Sequence, residues 1–215
     1  MKSYIVIGLG RFGTEVSRRL SENGCEVLAM DTNGDLIQHM SNVVTHAVVG
    51  NAQDKEVLRA LGVGNFDCGI VAIGDSLADS VLATMNLKEL GVPYVVCKAH
   101  DETHSEVLKK LGADKVVIPE KENAARLAKS LSSRNVLDYI DLSEDYGIIE
   151  VPVPAPWVEK SLIELNVRAK LGVNIIAVKR EGRIVVSPAA DFRMAAKDIV
   201  VVLGDTAALN AVQRI

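Results

Sequence analysis

Aromatic side chains are scarce in this chain, 4% of its 215 residues against 48% hydrophobic residues overall. The apolar content is therefore mostly Val, Ile, Leu and Ala, which suits a parallel sheet buried under helices and excludes a disordered chain. No apolar run reaches the roughly 20 residues needed to cross a bilayer. The first residues lead into a strand without the basic and apolar segments of a secretory signal. The expectation is a soluble, cytoplasmic protein with no direct membrane insertion, whose membrane role, if it has one, runs through a partner. Cysteine is sparse as well: Cys25, Cys68 and Cys97 are odd in number, with no C-x-x-C pair to grip zinc or exchange disulfides, which fits a reducing compartment. Positive charge is not in excess, since 24 Lys and Arg face 28 Asp and Glu for a formal net charge of -4. Whole-chain attraction to nucleic acid is thereby disfavoured. Catalytic signatures are missing too, with no G-x-S-x-G, H-E-x-x-H or S-x-x-K motif.

What is present is an alternation of short Val/Ile-rich runs with amphipathic segments up to about Ser133. The spacing predicts strands at Tyr4-Ile7, Glu26-Met30, Thr45-Val49, Cys68-Ile73, Tyr94-Lys98 and Lys115-Ile118, each followed by a helix. Several helices close on a glycine: Gly24, Gly62, Gly91 and Gly112. This predicts an α/β doubly wound parallel sheet. From about Leu131 the alternation stops, and "SSRNVLDYIDLSEDYG" reads as a helix followed by a polar connection. The rest predicts a small α+β domain: strands at Ile148-Val153, Val173-Lys179, Ile184-Ser187 and Asp198-Leu203, short helices across Ser161-Leu171, and a last helix from Thr206. The expected organisation is a nucleotide-binding domain at 1–133, a connecting helix and linker at 134–145, and a second domain at 146–215.

The stretch "YIVIGLGRFGTEVSRRL" holds Gly8, Gly10 and Gly13 after a strand and at the opening of a helix, the context in which G-x-G-x-x-G signals a dinucleotide or nucleotide site. Gly8 permits the tight turn, Gly10 lets backbone approach a pyrophosphate, and Gly13 lets helix pack on strand. Asp31 ends the second strand, where a carboxylate accepts bonds from ribose hydroxyls and repels a 2′-phosphate, so NADP is disfavoured. Arg11 stands at the helix start, either as a charge-assisted contact to a polyphosphate, including one held by a neighbouring subunit, or as a solvated arginine. Further candidate contacts fall at strand ends: Gly50, Asn51 and Ala52; Ile73, Gly74 and Asp75; Lys98, Ala99 and His100. His100 and His104 are four apart and make a weak metal pair without further ligands, so surface positions are expected. Glu120 either meets a cation or complements a helix N-terminus.

Over essentially its whole length the chain resembles the Ktr-type RCK (KTN) proteins, and more distantly Trk-type subunits. The resemblance is carried by "VIGLGRFG", "EVLAMD", "THAVVGNA", "KLGADKVVIPEKE", "SLSSRNVLDYIDLSEDYGIIEV" and "LIELNVRAKLGVNIIAVKR". It implies a Rossmann-like RCK-N domain followed by a small RCK-C domain in a cytoplasmic regulatory subunit of a bacterial potassium-uptake system. A homodimer assembling into an octameric ring on a membrane potassium-translocating subunit is implied as well. ATP and ADP would compete for the first domain. Gly8, Gly10, Arg11 and Gly13 would lie at the phosphates and Asp31, Thr32 and Asn33 at the ribose, with Phe12 also among the binding residues. Asn51, Ala52, Ile73, Gly74, Asp75, Lys98, Ala99 and His100 would line the remainder, with His104 nearby. Arg11 would reach the γ-phosphate of the partner's nucleotide, and Glu120 would lie by a divalent cation at the dimer interface. Arg168, Asn174, Ile175, Ile176 and Pro188 would correspond to a cyclic di-AMP site in the second domain. The reading is of a non-enzymatic, nucleotide-gated subunit. The alternatives are an NAD(H)-responsive Trk-like subunit and a small NAD-dependent oxidoreductase.

Overall fold

The six aliphatic runs of the first half become strands β1 (Ser3–Ile7), β2 (Glu26–Asp31), β3 (His46–Val49), β4 (Cys68–Val71), β5 (Val95–Lys98) and β6 (Lys115–Val117) in a computed structural model that describes residues 1–132, 136–143 and 145–215. They pair in the order β3-β2-β1-β4-β5-β6, every neighbour parallel. Helices α1 (Arg11–Glu22), α2 (Gly34–Met40), α3 (Lys55–Ala60), α4 (Leu77–Glu89) and α5 (Glu102–Lys110) make the crossovers. Alternate residues of β1 feed opposite faces: Ile5 and Ile7 pack with Met30, Val71, Leu87 and Val95, while Val6 packs with Leu9, Val27, Ala29 and Ile37. Burial on both faces is why these strands read as unbroken apolar runs. The four helix-closing glycines all take positive φ. The chain winds outward from β1 to β3 and then returns to the other side of β1 for β4. That reversal opens a crevice at the C-terminal ends of β1 and β4.

The first unit is Met1–Pro119 and the second Glu120–Ile215. The second begins with α6 (Pro119–Ser132) and contains β7 (Asp138–Asp141), β8 (Tyr146–Pro152), α7 (Leu162–Leu165), α8 (Val167–Leu171), β9 (Asn174–Arg180), β10 (Arg183–Val186), β11 (Ile199–Asp205) and α9 (Thr206–Gln213). The sheet is antiparallel in the order β10-β9-β11-β8-β7. Its core gathers Ile149, Val151, Trp157, Val178, Met194, Val200, Val202 and Leu209.

The expected helix and polar connection over 134–145 is corrected at its centre, because residues 138–141 form β7 and pair with β8. Residues 133–135 and 144 lie outside the described residues. Asp138 and Asp141 of this edge strand bond to Arg126 and Lys129 of α6, and the Lys129 amine stands 4.5 Å from the centre of the Tyr139 ring. The strand is thus specified by partners distant in sequence rather than by its own pattern. The fold groups α6 with the second unit, and the division at 1–133, 134–145 and 146–215 remains a proposed functional one.

One charge is fully buried in this unit. Asp198, 1% exposed, accepts from Arg180 Nε at 2.7 Å, Arg180 Nη2 at 2.6 Å and the Ala195 amide at 2.8 Å. Arg180 also lies over the Phe192 ring at 4.7 Å. The hydrogen bonds from Arg180 hold the Asp198 carboxyl below the usual value of 3.8, against the opposing push of burial. A carboxyl lowered in the folded state stabilises the fold above its unfolded value and loses that contribution as pH falls through the folded value. Asp198→Asn is expected to cost about 2 to 3 kcal/mol at neutral pH. The gap between variant and parent should stay constant above about pH 5 and shrink as pH drops below 3.8. Urea unfolding followed through Trp157, the one tryptophan, reads this unit directly.

Candidate nucleotide site

At the crevice, β1 hands over to α1 through Gly8, Leu9 and Gly10. Gly8 has φ +91°, a backbone state that L side chains rarely adopt, and its amide donates to the Met30 carbonyl at 2.9 Å. Gly13 lies one turn into α1, where a Cβ would stand 1.9 Å from the Gly8 carbonyl oxygen, so helix and strand approach this closely only with glycine there. Gly10 caps α1 with extended backbone, is exposed, and has open space where a side chain would point. The first turn of α1 carries no acidic residue. Its amides and dipole therefore present positive potential to the crevice.

The cleft has a volume of about 470 Å³ and gathers loops from the ends of four strands. Gly8 and Gly10 come from β1, Asp31 and Thr32 from β2, Asn51 and Ala52 from β3, and Ile73, Gly74 and Asp75 from β4. With Gly50, which also lines the cleft, the structure thus brings ten of the expected residues together. The Asp31 carboxylate accepts from the Leu9 amide at 2.6 Å and from the Asn33 amide at 2.8 Å. Asn51 Oδ1 accepts from the Gln53 amide at 2.9 Å, and the Asn86 side chain on α4 donates to the Ala52 and Gln53 carbonyls at 2.9 and 3.0 Å. β4 stops at Val71, two residues before the expected Ile73, which leaves Ala72 through Ser76 as the loop that leads into α4.

The remaining expected residues stand elsewhere. Gly13 packs α1 on the sheet, and Asn33 caps α2 by accepting from the Asp35 amide. Phe12 lines a separate, mostly apolar groove with Tyr4, Val16, Ile70, Tyr94 and Val96. Arg11 opens α1, exposed and outside the cleft lining. The Lys98 amine lies 3.2 Å from where a Gly74 Cβ would be, Ala99 is fully buried, and His100 is exposed. Glu120 is exposed in the first turn of α6.

The expected surface position of His104 is corrected: it is 5% exposed, because α5 turns His104, Ser105 and Leu108 inward together. Its Nδ1 accepts from the His100 amide at 3.3 Å, and burial, the main cause, lowers its pKa and favours the neutral ring. Among the described residues no group of three or more His, Cys, Asp or Glu comes together to hold a metal ion. A cation at Glu120 would therefore need ligands from outside this chain's described residues. Arg168 lies on α8, Asn174, Ile175 and Ile176 begin β9, and Pro188 follows β10. None of these five lines a described cavity.

Sequence reasoning missed Gln53, Ser76 and Asp79. Gln53 directly follows the "GNA" stretch and bonds to Asp79 across the cleft rim. Ser76 caps α4 by accepting from the Asp79 amide, and this S-x-x-D spacing was the available signal. The lining contains three carboxylates, Asp31, Asp75 and Asp79, and no Lys, Arg or His. It offers a hydrogen-bond acceptor set for sugar hydroxyls and leaves phosphate charge to helix amides and to cations beyond the lining.

Comparison with known proteins agrees with this geometry. The TrkA-N domain model matches residues 4–119 and the TrkA-C domain model residues 147–215. The Ktr system potassium uptake protein C of Bacillus subtilis is 42% identical over 213 residues, 99% of this chain and 96% of that protein. Protein A of the same system in Bacillus subtilis is 44% identical over 203 residues, 94% of this chain and 91% of that protein. Among solved structures, the GsuK RCK domain superposes with a TM-score of 0.70 at 22% identity, covering 99% of this chain and 47% of that one. The GsuK channel gives a TM-score of 0.71 at 22% identity, covering 99% of this chain and 39% of that one, so this chain spans less than half of either structure. With both domains matched and identity above 40% over nearly full length, the chain belongs to the Ktr-type family of potassium-uptake proteins built from a TrkA-N and a TrkA-C domain.

Proposed function

We propose that this chain is a nucleotide-sensing regulatory subunit that gates a membrane potassium transporter through ATP against ADP. The observation that carries the reading is the cleft at the β1/β4 crevice, where a glycine turn and helix N-terminus face a ribose-accepting carboxylate, Asp31. Relatives named as potassium uptake proteins supply the transport context. The lining includes no histidine, lysine, tyrosine or cysteine that could move a proton for hydride chemistry, which supports sensing over an oxidoreductase. Among the described residues no helix is long and apolar enough to cross a membrane, so ion movement belongs to a partner in this account.

A ligand moves an equilibrium between two shapes only by its difference in affinity for them. Shifting a two-state population from 1:99 to 99:1 takes about a 10⁴-fold difference. In a concerted ring of eight sites that total needs a preference of only about threefold per site. A single added phosphate contact is enough to supply it, and Arg11 is the residue we assign to that contact. Its exposure at the first position of α1, outside its own cleft, supports a contact to the γ-phosphate of a nucleotide held by a partner subunit.

Calorimetric titration with ATP, ADP, NAD and NADH should show ATP and ADP competing for one site per chain, both tighter than either nicotinamide nucleotide. Tighter binding of NADH or NAD would replace this reading with an NAD(H)-responsive subunit. Arg11→Ala should lower ATP affinity about tenfold or more, as expected for loss of a charge-assisted bond, and ADP affinity by less than about twofold. Equal losses for both nucleotides would remove Arg11 as the phosphate counter.

A further inference from the structure

We propose that Asp31 positions the phosphate-binding turn itself, in addition to accepting the ribose, so that the sugar and phosphate halves of the site act as one unit. The proposal rests on the nucleotide reading of the cleft. One carboxylate oxygen, Oδ2, accepts from the amide of Leu9, the residue between Gly8 and Gly10, at 2.6 Å. The other, Oδ1, accepts from the Asn33 amide at 2.8 Å, and Asn33 in turn caps α2 through the Asp35 amide at 2.9 Å. The Leu9 carbonyl is held from the opposite side by Thr14 Oγ1 of α1, which donates to it at 2.7 Å. The Leu9 side chain is 1% exposed among Val6, Val27, Ala29 and Ile37. Residue Leu9 is therefore fixed at the peptide units on both its sides and at its side chain, and Asp31 holds the unit that joins it to Gly8.

The next residue is held at its carbonyl alone, which accepts from the Thr14 amide at 2.9 Å. Gly10 is exposed, with nothing within 4 Å of where its side chain would begin. A glycine in open space turns its peptide freely unless its neighbour is held. With Leu9 anchored, the amides that open α1 stay directed into the cleft, and the ordering entropy is met in folding rather than at binding.

The chemistry of position 31 supports the same conclusion. A carboxylate near a polyphosphate is electrostatically unfavourable, and ribose hydroxyls can be met by neutral side chains. Two backbone amides and two hydroxyls demand about four acceptor lone pairs, which a carboxylate provides and an amide side chain does not. Asp31→Asn keeps the shape, offers a single acceptor oxygen and must release one of the two amides. Removal of the charge alone would strengthen the binding of a polyphosphate, whereas loss of positioning weakens it, so the two effects have opposite sign.

The test uses the full chain and inorganic tripolyphosphate, a probe with no sugar to touch Asp31. Asp31→Asn should lower tripolyphosphate affinity about tenfold, lower adenosine affinity as well, and lower ATP affinity by more than either. In the ligand-free chain, hydrogen exchange at the Leu9 amide should quicken at least tenfold, with exchange across β4 and β5 unchanged. Tripolyphosphate affinity that is unchanged or improved, together with unaltered Leu9 exchange, would overturn the proposal and leave Asp31 a ribose contact only. The exchange arm needs no ligand and judges the Asp31 bond by itself. A parent chain that binds no nucleotide would instead overturn the nucleotide reading.

Discussion

A side chain at position 13 would begin 1.9 Å from the carbonyl oxygen of Gly8, and the rest of the first unit is arranged around that contact. Because Gly13 allows α1 to lie against the end of β1, the helix starts within three residues of the strand and its free amides open at the crevice. The crevice exists because the chain reverses direction in the sheet between β1 and β4, so that no helix crosses the top of that gap. Asp31 then ties the end of β2 to the same turn, and Asn86 ties the β3 loop to α4. Three of the four loops that line the cleft are thereby held by a bond to an element other than their own strand. This is the pre-organisation that a site responding to small differences between ligands requires.

The charge of the cleft is acidic. Its three carboxylates leave an anionic ligand to be held by backbone dipoles, with cations drawn from beyond the lining. Under the proposed function, a triphosphate in such a site draws part of its contacts from a second chain. The proposed contact of Arg11 with a neighbour's nucleotide would give nucleotide identity a route to subunit arrangement. Differential contact of this kind is what a conformational shift requires.

Much of the fold was legible in the sequence, for reasons particular to each element. The four inner strands β1, β2, β4 and β5 are largely buried and so stand out as aliphatic runs, and the glycines at 24, 62, 91 and 112 mark helix ends because the backbone there has positive φ. β7 was not legible: "DYID" has no strong periodicity, and its pairing with β8 and its bonds to Arg126 and Lys129 are tertiary facts. The cleft was half legible. Glycines and Asp31 carry a local signature, but the meeting of Gln53 with Asp79 depends on strand order, which no local pattern encodes. The burial of His104 depends likewise on which face α5 turns to the sheet.

Under the proposed function, nucleotide identity in this cleft is transmitted to a potassium translocator. The most direct measurement is potassium uptake by sealed vesicles carrying the translocating subunit, with this chain added in the presence of ATP or of ADP at saturating concentration. The account predicts faster uptake with ATP than with ADP, and no nucleotide dependence when the chain is omitted. Equal uptake with the two nucleotides, or uptake indifferent to the chain, would contradict it.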